Sequence, residues 1–201
     1  MSGNQTTIEP PGLQPSDLTW SDILRDGTEI LVRPIRPSDE DAERHFIEAL
    51  SPESRRFRFL GDVKTPSDVL LKQFTRIDSL HEMAFVAMVD TGESEEQIGV
   101  SRYGAGIDGT SCECAVVVSD EWQNRGVATL LMGHLMDVAR ERGIERMYSI
   151  DSTANSAMHG LATHLGFLRE ADPDNATQVI HRFDLQTGSR RAPGPDAPAR
   201  P

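Results

Sequence analysis

At 201 residues the chain is long enough for one domain with a sizeable core. Its formal charge of −12, from 32 acidic and 20 basic residues, argues against general nucleic-acid binding, which relies on Lys and Arg to neutralise phosphates, and suits either a cationic partner such as an amine or solubility alone. No long uncharged apolar run points to a membrane span, the N-terminus lacks the blocks of a signal peptide, and two cysteines are too few for a disulfide framework, so a cytoplasmic protein with buried free thiols is expected.

Residues 1–20 are polar and proline-bearing and are expected to form a flexible arm; 187–201 are a Pro/Ala/Arg tail expected to be flexible too. Between them, 21–186 reads as one domain without internal repeats. Asp26-Gly27 signals a turn, and Glu29 to Ile35 reads as a first strand. Ser38 is the expected N-cap of a helix whose inner face is Ala42, Phe46, Ala49 and Leu50, closed by Pro52. Pro66-Ser67-Asp68 opens another helix, carrying Val69, Leu70, Leu71 and Phe74. Met83 to Val89 and Ile98 to Ile107 are strands joined by a polar turn, and Asp108-Gly109 turns again into Cys112 to Val118. Three strands joined by tight turns imply an antiparallel meander.

The stretch from Ser111 to Arg142 reads as strand, loop and helix. Apolar residues at Val127, Leu130, Leu131, Leu135, Val138 and Ala139 recur with helical spacing, His134 shares their face, and Gly143 suits the helix end. Arg146 to Ile150 is a further strand, Ser156 to Leu165 a short helix, and Phe167 to Glu170 and Gln178 to Leu185 are two closing strands. The class is α/β (α+β): a mixed, mostly antiparallel sheet of six to seven strands with helices on both faces.

The loop Gln123-Asn124-Arg125-Gly126-Val127-Ala128 precedes a helix start, where unpaired N–H groups and partial positive charge collect. Gly126 permits close backbone approach and small Ala128 leaves the entrance open, so a pyrophosphate is expected on main-chain donors. Neither Gly-Lys-Ser/Thr nor G-x-G-x-x-G is present, which favours a cofactor whose phosphates are gripped but not cleaved. Strand alternation places Cys112 and Cys114 on one face and Glu113 on the other. A metal site would need further ligands, and none is expected.

The pattern Q-x-x-G-x-A between an apolar strand and an amphipathic helix resembles the acetyl-CoA site of the GNAT N-acetyltransferases. Asn155-Ser156-Ala157-Met158 through Leu165-Gly166-Phe167 resembles a later motif of that family. LRDGTEILVRPIRPSDE and SPESRRFRFL, with ECAVVVSDEWQNRG, look closer to its bacterial protein-lysine acetyltransferase branch. The resemblance covers about Leu24 to Leu185 and implies a single GNAT-type domain using acetyl-CoA as co-substrate.

The resemblance also implies roles. Glu113 would be the base that deprotonates the acceptor amine, its carboxyl desolvated in a partly buried strand, unless it is only a structural glutamate. A main-chain N–H near Val116 would support the thioester carbonyl, and Val116 to Val118, with Val117 between, would pair the pantetheine amides where the sheet parts. Gln123, Asn124, Arg125, Gly126, Val127, Ala128 and Thr129 would surround the diphosphate, and Asn155 would bond coenzyme A while capping its helix. Many members carry a tyrosine where Ala162 stands, so the usual general acid is absent. Arg55, Arg56, Phe57, Arg58 and Phe59 are either a substrate-facing wall or solvated arginines on a connection. Direct transfer in a ternary complex to a protein lysine, such as one on an acyl-CoA synthetase, is the expected reaction. Acetylation of an aminoglycoside or polyamine, or acyl-CoA binding without turnover, are the alternatives.

Overall fold

The alternating and helical segments condense onto one eight-stranded sheet in the computed structural model, which describes residues 18–61 and 65–187. In chain order the elements are β1 (Trp20–Ile23), β2 (Glu29–Pro34), α1 (Glu40–Ala49), α2 (Pro52–Phe59), α3 (Asp68–Thr75), β3 (Glu82–Asp90), β4 (Glu95–Ala105) and β5 (Ser111–Val118). There follow α4 (Val127–Glu141), β6 (Arg146–Ser152), α5 (Ser156–Leu165), β7 (Leu168–Ala171) and β8 (Gln178–Asp184). The strand order is β1-β2-β3-β4-β5-β6-β8-β7, antiparallel throughout except for the β5–β6 pair. No helix among the described residues is long and apolar enough to cross a membrane.

The sheet is covered on both sides. Val127, Leu131 and Leu135 of α4 meet Phe85, Ile98 and Cys114 on one face. Phe46, Ile47 and Leu71 of α1 and α3 meet Ala84, Val86 and Val100 on the other. Strand β3 is therefore apolar at successive positions, as a strand buried on both faces must be. The close seat of α4 depends on Gly99, opposite Val118: a Cβ there would come within 3.0 Å of Leu131 Cδ1 and 3.3 Å of the Val117 carbonyl oxygen.

Several sequence expectations are corrected. The sheet has eight strands, not six or seven, because Trp20–Ile23 pairs with β2. Its apolar pattern is inverted: Ile23 is exposed while Asp22 turns inward to meet His134 Nε2 at 2.6 Å, and Trp20 stacks on the same ring at 4.1 Å. Leu18 and Trp20 thus pack into the domain although they fall within the expected 1–20 arm; residues 1–17 and 188–201 lie outside the described residues. Ser38 does not cap α1. It lies in a 3-10 turn, and Asp39 precedes the helix, its carboxylate held by Arg33 at 2.7 and 3.0 Å and by the Arg36 N–H at 2.7 Å.

Ala49 faces solvent, and the inner face of α1 instead carries Glu43 and Ile47. Burial raises the Glu43 carboxyl, opposed by the Gln97 amide at 2.5 Å and by Arg102 and Arg58. Pro52 opens α2, behind a Ser51 cap that accepts from the Ser54 N–H, rather than closing α1.

Leu131 is fully buried between α4 and the meander. Leu131→Ala is expected to lower the unfolding free energy by about 2–5 kcal/mol, read by urea denaturation; a loss under about 1 kcal/mol would contradict this packing.

Candidate active site

Strands β5 and β6 pair only through Ser111–Arg146, Cys112–Met147 and Glu113–Tyr148. Beyond that point β5 continues along β4 as far as Val118 and β6 continues along β8 as far as Ser152, but the two no longer meet. Main-chain groups on the facing edges are left without a ladder partner. A cavity of about 720 Å3 opens in the gap, and β5 lines it from Glu113 to Val118, both sides of the strand contributing. Helix α2 and the loop before α4 form one wall; Ile150, Asp151 and α5 form the other.

The loop is shaped by two positive φ values, +60° at Asn124 and +99° at Gly126. At Gly126 a side chain would be strained by the backbone, although a Cβ would meet only open space. Gly126 is the N-cap of α4, and its carbonyl accepts the first helical bond from the Leu130 N–H at 3.1 Å. No side chain caps this end and no acid stands in its first turn, whereas α1, α2 and α3 carry acids there and Asn155 caps α5. Uncompensated N–H groups therefore face a cavity: an anion site in need of an anion.

Gln123, Asn124, Gly126, Ala128 and Thr129 line the cavity as expected, as do Val116, Val117, Val118 and Asn155. Arg125 and Val127 do not place their side chains there. Arg125 lies over the Trp122 ring at 4.8 Å and reaches Asp26 at 3.6 Å, and Val127 is buried in the core; only their main chain remains available at the helix start. Asn155 Oδ1 accepts from the Met158 N–H at 3.0 Å, which leaves its amide nitrogen for a ligand. The Gln123 amide nitrogen donates to Ser54 Oγ and the Val118 carbonyl, both at 3.3 Å, so it braces the wall.

Glu113 lines the cavity on the face opposite the cysteines, but it is exposed; the desolvated setting expected for it is not found. Both cysteines are buried, and burial pushes the Cys112 thiol up to about 12 and Cys114 well above its ordinary value, which makes poor nucleophiles of them. Ala162 of α5 is fully buried in the core and offers the cavity nothing. Among the described residues no cluster of three His, Cys, Asp or Glu could hold a metal.

Residues 55–59 are helical, not a loop, and Phe57 and Arg58 line the cavity. Arg58 lies over Phe59 at 5.2 Å and Phe74 at 5.5 Å. Burial and neighbouring Arg102 bring its guanidinium down to about 10, against Glu43 and Glu113, so it stays charged at neutral pH while keeping part of its surface open to the cavity.

Sequence reasoning missed what fixes α2 in place. Asp120 accepts from the Ser51 N–H (2.9 Å), Ser51 Oγ (2.7 Å) and Ser54 Oγ (2.8 Å), joining the start of α2 to the loop before α4. The S-x-x-S cap and the acid lie 69 residues apart, so only a contact in space reveals them. Burial pushes the Asp120 carboxyl up, but the Ser51 and Ser54 bonds outweigh it and hold it below the ordinary value. A depressed folded-state value gives stability above the unfolded value that is lost as pH falls through the folded one. Asp120→Asn is therefore expected to lower the Tm at neutral pH, with the gap from wild type closing on acidification below the ordinary aspartate range; a pH-independent gap would count against this.

A family model described as the Acetyltransferase (GNAT) family matches residues 45–167. Acetyltransferase PA5475 of Pseudomonas aeruginosa is 48% identical over 166 residues, spanning 83% of this chain and 89% of that protein. Acetyltransferase Pat of Mycolicibacterium smegmatis is 29% identical over 144 residues, 71% of this chain but 42% of that protein. Among solved structures, the GNAT domain of S. lividans PAT superposes with a TM-score of 0.78 at 30% identity, covering 86% of this chain and 99% of that one.

Proposed function

The chain belongs to the GNAT family and is an N-acetyltransferase, and we propose that it carries acetyl from acetyl-CoA to a protein lysine by direct attack, with Glu113 as base. The observation that carries this reading is the uncapped start of α4 opening into the gap between β5 and β6. Amides of Gly126, Val127, Ala128 and Thr129 hold the diphosphate, the free edge of β5 at Val116 and Val118 pairs the pantetheine amides, and Asn155 donates from across the gap. The Val116 N–H then supports the thioester oxygen as it gains charge.

A lysine amine is mostly protonated at neutral pH and must lose a proton before it attacks. Glu113 stands at the cavity on the face of α2 and Arg58, which suits it to take that proton directly or through water. Its exposure lets the proton pass on to solvent. The protein-lysine reading rests on the branch resemblance of the segments around Arg33 and Arg58 and on the net charge of −12, which favours a cationic acceptor. An acyl-CoA synthetase is one candidate acceptor, and the cytoplasm, where acetyl-CoA and such acceptors meet, is the proposed location.

Glu113→Gln is expected to lower kcat by about a hundredfold while calorimetry shows acetyl-CoA affinity nearly unchanged; an unaltered kcat would remove Glu113 from the chemistry. Gly126→Val, which strains the loop and puts a side chain into the ligand's space, is expected to weaken acetyl-CoA binding by about tenfold or more. Radiolabelled acetyl-CoA incubated with a proteome extract should label protein, and labelling confined to a panel of small amines would overturn the lysine reading.

A further inference from the structure

Across the gap from Val116 stands a carboxyl group that the reaction above does not use. Glu113 and Tyr148 are the last paired residues of β5 and β6, so Val116 and Asp151 each lie three residues beyond the parting point. Asp151 lines the cavity, with 13% of its side chain exposed. It is the first member of a hydrogen-bonded chain leading into the protein. Its Oδ2 accepts from Ser149 Oγ at 2.6 Å and meets His181 Nδ1 at 2.9 Å. His181, 1% exposed, meets His159 Nδ1 through its Nε2 at 3.2 Å, and His159 Nε2 lies 3.1 Å from the Thr153 carbonyl oxygen.

Counting hydrogens gives the proton content that would satisfy every contact of this chain. Each of the three ring contacts is a donor–acceptor pair and needs one hydrogen. The Thr153 carbonyl only accepts, so His159 Nε2 carries one; the His159–His181 contact needs a second and the His181–Asp151 contact a third. Two neutral imidazoles bring only two. With every contact satisfied, the trio therefore holds one proton more than a carboxylate and two neutral rings, and its net charge is zero rather than −1. That state also avoids leaving a mostly buried carboxylate uncompensated.

We infer that Asp151, His181 and His159 form a proton store facing the coenzyme A gap, and that Asp151 hands its proton to the departing thiol. The amine lone pair forms the C–N bond and the C–S bond breaks with its electron pair staying on sulfur. The sulfur takes a proton from Asp151, directly or through one water. The trio passes from charge zero to −1 and regains a proton from solvent through half-buried His159. Glu113, having passed on the ammonium's proton before attack, takes the second proton that the nitrogen sheds on becoming an amide and releases it to solvent. Asp151 thereby does the work for which Ala162 supplies no hydroxyl. The inference rests on acetyl transfer from acetyl-CoA, not on which amine accepts it. The groups facing Asp151 are Cys114 from β5, Ser149 on its own strand, His181 from β8 and His159 from α5, with His164 of α5 also at the cavity; Glu113 and Arg182 belong to the opposite face of the sheet.

The test pairs imidazole nitrogen NMR of labelled protein with steady-state thiol release from acetyl-CoA, a proteome extract serving as acceptor. The expected result is three ring hydrogens shared by His159 and His181 with Asp151 near neutral pH, falling to two in Asp151→Asn. Asp151→Asn should lower kcat about tenfold or more and change the KM for acetyl-CoA less than about threefold. Two neutral rings beside an ionised Asp151 carboxylate in the wild type, read by carboxyl carbon NMR of the same protein, or an unchanged kcat in the variant, would overturn the inference. Should Asp151→Asn fail to fold, His159→Gln, which keeps a hydrogen bond to His181 and to Thr153 but cannot relay a proton, should lower kcat about tenfold with the KM for acetyl-CoA changed less than about threefold; an unchanged kcat would overturn the inference as well. No thiol release by the wild type with any amine would instead overturn acetyl transfer itself, and the handover with it.

Discussion

The separation of β5 from β6 after the Glu113–Tyr148 pair is the constraint on which the site depends. A buried strand edge without partners is costly, and proteins pair or cover such edges almost without exception. Here the edge borders a cavity and not another strand, so a ligand with amides of its own can complete the ladder. The same parting exposes both faces of β5 to one space, which is why residues of opposite side-chain direction, Cys114 and Glu113 among them, line a single cavity. It also ends close to the first turn of α4, where a second set of unpaired groups waits. One extended ligand carrying amides at one end and phosphates at the other answers both deficits.

The strand–loop–helix from β5 to α4 was legible because its two periodicities, two and then nearly four, are clean and the break between them is marked by Asn124 and Gly126, both at positive φ. The β3–β4–β5 meander was legible because short apolar runs are divided by polar turns at 91–97 and at Asp108-Gly109. Where expectations failed, a polar side chain had gone inward. Asp22 and Trp20 hold His134, so β1 shows solvent its isoleucine and hides its acid. Glu43 occupies a core position of α1 because Gln97 and two arginines meet it there, and a rule that puts acids outside displaces the helix face by a residue or two. Glu113 was rightly placed on its face, but its exposure depends on how far β6 and α2 stand from it, which no local pattern encodes.

The trio of Asp151, His159 and His181 was illegible for a related reason. Its members come from three elements, and each alone reads as an ordinary polar residue of a strand or helix. A faint signal existed: Ser149 and Asp151 alternate with Tyr148 and Ile150, and His181 sits between Val179 and Phe183 on the core-facing side of β8. Polar residues repeating every second position on a buried face imply partners on that face, though not which ones.

Because successive residues of a strand point to opposite sides, the sheet would place the two proposed proton movements on its two faces. Glu113 lies on the side of α2 and Arg58, the proposed side of the acceptor amine; Asp151 lies on the side of α4 and α5, beside the proposed cofactor cleft. A base and an acid placed on one side would share a proton with each other before either met a substrate. Lining one cavity from opposite faces of a parted sheet, the proposed base and acid would approach a bound thioester from two sides. The Asp120 contacts to Ser51 and Ser54 and the Gln123 bridge to Ser54 and Val118 keep that geometry together, since they tie the acceptor wall of α2 to the loop that leads into α4. A shift of α2 is then also a shift of the loop before α4, so this wall of the cavity moves as a unit.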